Sequence, residues 1–171
     1  MQDKLEEALR SLDERTLQSR IDRIVWLSEH ERLPSIIIGR TETLHILREA
    51  REVFVDGRFA AALILAVAVI EHSLIEELQL RGVIKGSPKL SLVLKKAQAA
   101  SVLPSDWFPT LQQLVYLRNP FVHLKGPDHE HGLGTRIHSK NAHPNALLEK
   151  DAQVAMQYMY QVFRATLHEV S

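Results

Sequence analysis

The chain has 171 residues, 21 Lys plus Arg against 21 Asp plus Glu, and no cysteine. That length fits one domain with a proper core, and the ordinary apolar and charged fractions exclude a disordered chain. Without cysteine there are no disulfides, thiolate metal sites or cysteine nucleophiles, and at zero formal charge any contact with nucleic acid must be local, not a broad phosphate-gripping surface.

The opening "MQDKLEEALR" is charged from its third residue and lacks the apolar core of a signal peptide, so the expected setting is cytoplasmic. Through residue 31 the apolar positions Leu5, Leu9, Leu12, Leu17, Ile21, Ile24 and Val25 predict one broken or two short amphipathic helices. Their apolar stripe needs a partner. "RLPSIIIGR" follows as an extended connector, bracketed by Pro34 and Gly39. Residues 1–41 therefore read as an N-terminal helical extension, and residues 42–171 as the main helical bundle.

Thr41 is the expected cap of a helix through "ETLHILREAREVFV", closed by Asp56-Gly57. The short turn predicts that the next helix, about 58–81, packs antiparallel to it. That helix is apolar on every side through Ile70, as befits one enclosed by neighbours, and Gly82 ends it. Its longest apolar run, Phe59 to Ile70, falls short of the roughly 20 residues needed to cross a bilayer, so no membrane span is expected.

Ser87 and Pro88 predict the cap and first position of a further helix. Another is expected from Ser105 to Arg118. The periodicity then fails over "KGPDHEHGLGTRIHSKNAHP", and a last helix carries Leu148, Ala152, Ala155, Met159, Val162 and Thr166 on one face. The expected fold is all-α.

The stretch "LVYLRNPFVHLKG" places Arg118 five residues before His123, with Asn119-Pro120 between them. The bare spacing is weak, because Arg23/His30, Arg40/His45 and Arg136/His143 repeat it within four to six intervening residues. Only Arg118 is followed by asparagine and also lies late in the chain, after the apolar helix and before the last one. In an unbroken helix, side chains five apart diverge by about 140°. Pro120 opens the hydrogen-bond ladder, and the resulting kink could bring Arg118 and His123 to one cleft, with Asn119 capping the new turn. A plainer reading stands beside this: a helix restart at Asn-Pro, a surface arginine and a solvated histidine.

Arg118-Asn119-x-x-x-His123, with the helical pair "LREAREVFVDGRFAAALILAVAVIEHSLIEEL", resembles the HEPN superfamily (higher eukaryotes and prokaryotes nucleotide-binding) of all-helical domains, many of them metal-independent ribonucleases. The likeness covers about residues 42–168. It implies an antiparallel helical bundle acting as a homodimer on RNA, without a cofactor, in a toxin–antitoxin or defence system where a nucleotidyltransferase-type protein would be a fitting antitoxin. It also implies roles: His123 as general base or acid, Arg118 gripping the phosphate, and Asn119 positioning Arg118 or the substrate. The alternative it leaves open is a non-catalytic dimeric module for a nucleotide or protein partner.

Glu71 lies on the line Ile64, Val67, Glu71, Leu74, Leu78, which should face the core. A buried carboxylate is costly unless paired, so Glu71 is expected either to pair with Arg118 or orient His123, or to reach water at the mouth of the bundle. His72 reads as a packed or hydrogen-bonded histidine. In the aperiodic stretch, Lys125, Arg136 and Lys140 are suited to holding phosphate. Asp128, His129, Glu130, His131, His138 and His143 are metal-binding types without a defined ligand spacing, so a polar loop is expected there, not a metal site.

Overall fold

A computed structural model describes residues 2–31 and 40–167, and all regular structure among them is helical. The helices are α1 (Gln2–His30), α2 (Thr41–Val55), α3 (Phe59–Leu80), α4 (Leu90–Ala99), α5 (Phe108–Val122), α6 (Leu133–Lys140) and α7 (Pro144–Ala165), with a 3₁₀ turn at Ser105–Trp107 before α5. The expected all-α class is found. The predicted connector at 32–40 lies almost wholly outside the described residues.

The centre is α3. Its most extensive contacts are with α7 and α2, and it also touches α5 and α4. Ala62, Leu63, Ala66, Val69, Leu74 and Leu78 are completely buried on it. By length and composition α3 could cross a membrane, yet 56% of its apolar window is buried inside the bundle, as in a core helix.

The turn from α2 to α3 follows from Gly57, which adopts φ +76°, a conformation that disfavours side chains. A second reason for glycine is space, since a Cβ there would meet the Arg23 guanidinium at 3.1 Å. Arg23 donates to the Val55 carbonyl at 2.9 Å, pairs with Glu149 at 3.2 Å, and lies 4.9 Å from the Phe59 ring centroid. One arginine thereby ties α1 to α2, α3 and α7.

Where periodicity predicts one broken or two short helices, α1 is a single helix of 29 residues. Only its C-terminal end is docked: Leu27 is wholly buried, and Trp26 packs on Phe54 at 5.3 Å. Leu5, Leu9, Leu12 and Leu17 are 62%, 62%, 48% and 53% exposed. Residues 2–19, about 27 Å of helix, contribute no buried side chain.

Three boundaries differ from expectation. Arg40, not Thr41, is the N-cap of α2; α4 begins at Leu90 with Lys89 as N-cap, so Ser87-Pro88 precede it; and α5 runs on to Val122 instead of stopping at Arg118. In the stretch expected to lack structure, α6 forms over eight residues.

Candidate functional site

The continuation of α5 decides the geometry. Pro120 sits inside the helix, and the His123 backbone N–H still donates to the Asn119 carbonyl at 2.9 Å. The helix does not restart at Asn119-Pro120. Proline in the last turn removes one ladder bond where the helix is about to stop, so its cost is small compared with a central position. Asn119 accordingly does not cap a new turn, and α5 runs unbroken from Arg118 to Val122.

Arg118 points toward α3. Its guanidinium donates to the Glu71 carboxylate at 3.3 Å, with the arginine side chain 15% and the glutamate 26% exposed. Of the roles open to Glu71, pairing with Arg118 is realised. A guanidinium carries five N–H donors, and this contact engages one of them, leaving others for an anion. His123 lies just past the helix on extended backbone, φ −135° and ψ 123°, and is exposed. Among the described residues no hydrogen bond or ion pair joins Arg118 to His123.

The other arginine–histidine pairs have structural duties. Arg23 is the clamp of α1, and His30 Nδ1–H donates to the Trp26 carbonyl at 2.8 Å while its ring stacks on Trp26. Arg40 pairs with Glu76, and His45 lies 3.2 Å from Glu49. His143 is the N-cap of α7, its Nδ1 accepting from the Asn145 N–H at 3.2 Å.

Arg136 corrects an expectation. Assigned to phosphate from sequence, it is only 8% exposed, and its two terminal nitrogens lie 2.8 and 2.7 Å from the two carboxylate oxygens of Asp151. This pair locks α6 to α7 and leaves Arg136 unavailable to a ligand. Lys125 and Lys140 are exposed. His72 Nδ1 is 3.3 Å from the Thr43 hydroxyl, a hydrogen-bonded histidine between α2 and α3. No group of three potential metal ligands converges among the described residues.

A feature not anticipated from sequence is a cleft of about 780 Å³ beside Asn119. Gln113, Tyr116 and Asn119 recur every three residues and form one ridge of α5. The chain beyond the helix turns back to face them with Lys125, His129 and His131. That segment is built, not loose: His129 N–H donates to the Gly126 carbonyl at 3.1 Å, Gly132 N–H to the His129 carbonyl at 2.8 Å, and His131 N–H to His129 Nδ1 at 3.2 Å. The His131 and Tyr116 rings lie parallel, 5.0 Å between centroids. The spacing of Gln113, Tyr116 and Asn119 was visible beforehand, but nothing in the pattern announced the chain folding back.

Comparison of the chain with protein-family models, with curated proteins and with solved structures gave no match.

Proposed function

We propose that the protein is an HEPN-type antiparallel bundle that cleaves RNA without a metal, using Arg118, Asn119 and His123 in a cleft shared by two copies of the chain. The observation that carries this reading is the Arg118–Glu71 contact, which holds a largely covered guanidinium in one orientation with donors to spare. In the reaction the RNA 2′-oxygen attacks the neighbouring phosphorus, the bond to the 5′-oxygen breaks, and a 2′,3′-cyclic phosphate is left. One basic group takes the 2′-hydroxyl proton, and one acid returns a proton to the departing 5′-oxygen. Arg118 stabilises the charge growing on the equatorial oxygens.

His123 supplies one of the two proton-transfer groups, its exposed position past α5 leaving the ring open to substrate. A twofold arrangement of two motifs supplies the other, and it also answers the lack of contact between Arg118 and His123 within one chain. A toxin–antitoxin or defence role with a nucleotidyltransferase-type partner, in a cytoplasmic setting, belongs to the same reading.

The test is incubation of purified protein with RNA in excess chelator. Wild type should produce fragments ending in cyclic phosphate, and Arg118→Ala and His123→Ala should not. Cleavage that persists in both variants overturns the reading.

A second reading is favoured by the lack of contact between Arg118 and His123: a non-catalytic dimeric module that binds a nucleotide or a protein partner at the same place. It predicts ligand-induced thermal stabilisation with no RNA fragments.

A further inference from the structure

We infer that the cleft between the Gln113–Tyr116–Asn119 ridge of α5 and the folded-back segment 125–132 is a nucleotide subsite. It holds one RNA nucleotide next to the phosphate that the motif handles. The inference rests on the RNA reading above and adds where the neighbouring nucleotide sits. At about 780 Å³ the cleft lies within the range of small-ligand sites, about 300–1,000 Å³.

Its chemistry matches the three parts of a nucleotide. Tyr116 is 42% exposed and is fixed in place by the parallel His131 ring, so an aromatic surface is presented ready-made. Stacking on such a surface is tolerant of base identity because every base has a π-face. The side-chain amides of Gln113 and Asn119, one turn to either side, each carry a donor and an acceptor for a base edge or a ribose hydroxyl. Lys125 offers an ammonium to phosphate from the opposite wall.

His129 adds a directed donor. Its Nδ1 accepts from the His131 N–H, so the neutral ring carries its proton on Nε2, which remains for a ligand oxygen. Glu130 also borders the cleft, but its side chain is 88% exposed and sits at the rim. The wall itself is held by backbone: a Cβ at Gly132 would lie 2.9 Å from the His129 carbonyl oxygen, so glycine is needed for the 129–132 turn to close. An aromatic plate, two amides and a cation on a fixed frame suit a nucleotide better than a bare anion or an apolar molecule.

The test is titration of full-length protein with uridine 3′-monophosphate, adenosine 3′-monophosphate, the two nucleosides and inorganic phosphate, following the ring signals of Tyr116, His129 and His131 by NMR. Both monophosphates should shift all three rings. Tyr116→Ala should weaken monophosphate binding about tenfold while Tyr116→Phe retains it, and Lys125→Ala should weaken the monophosphates but not the nucleosides. Both positions are exposed, so folding should be unaffected.

Ring shifts produced equally by inorganic phosphate, or affinity unchanged in Tyr116→Ala, overturn the subsite. The outcomes separate from those of the cleavage reading. Nucleotide binding at these rings with no RNA cleavage would sink the nuclease and keep the subsite. Cleavage by wild type, with no ring shifts and no effect of Tyr116→Ala, would do the reverse.

Discussion

Arg118 of α5 and Glu71 of α3 meet at 3.3 Å at the edge of the core, so the motif arginine is oriented by the helix that organises the whole bundle. The pair is partly covered, and its contribution to stability should be small, about 1 kcal/mol or less. Its effect on positioning should be larger. Glu71→Gln is expected to leave the melting temperature within a few degrees of wild type and to lower RNA cleavage about tenfold, whereas Arg118→Ala should lower it about 100-fold or more. Thermal denaturation beside a cleavage assay checks both, and equal activity in Glu71→Gln and wild type would show that Glu71 does not position Arg118.

Arg136 and Asp151 form the most deeply covered ion pair connecting α6 and α7. Removing one partner strands the other, so Arg136→Met or Asp151→Ala alone should cost about 3–5 kcal/mol in urea unfolding. Replacing both by apolar residues of similar size should recover most of that loss. If the single Arg136→Met variant is as stable as wild type, the pair does not hold α6 in place.

The two halves of α1 should respond oppositely to truncation and substitution. Deleting residues 1–15 removes no buried side chain among the described residues and should change the unfolding free energy by less than about 0.5 kcal/mol. Leu27→Ala, at a fully buried position, should cost about 2–5 kcal/mol. A large loss on truncation would mean that the exposed leucines are covered in solution.

Tyr160 makes stability depend on pH in the alkaline range. Burial pushes its phenol well above the usual tyrosine range; Glu31 adds to the rise and Arg51 opposes it. Because the folded value lies above the unfolded one near 10, the stabilisation is fully present below about pH 10 and declines as pH rises toward the folded value. Tyr160→Phe should flatten that decline. It should also leave stability at neutral pH unchanged or slightly raised, since the buried hydroxyl has no hydrogen-bond partner among the described residues. Unfolding curves from pH 7 to 11 for both proteins check the slope.

Much of the bundle is legible in the sequence because it depends on local rules. The apolar run from Phe59 marks the core helix, Gly57 and Gly82 take the positive φ that ends α2 and α3, and the 3.6-residue pattern places α7. The candidate site is legible in part. Glu71 stands out as an acid on a core-facing line, and Arg118 as its possible partner, because a buried charge demands one.

What the sequence by itself determined is this all-helical frame and the composition of the site. Tertiary structure alone decided the rest. Pro120 stays within α5 because the helix has only two more residues to run, and among the described residues no hydrogen bond or ion pair joins Arg118 to His123. Arg136, indistinguishable in sequence from a phosphate-binding arginine, is claimed by Asp151 once α6 lies on α7. The cleft at Tyr116 exists because residues 126–132, shaped by their own backbone hydrogen bonds, bring His131 onto the Tyr116 ring of α5, a contact that no periodicity in the side chains records.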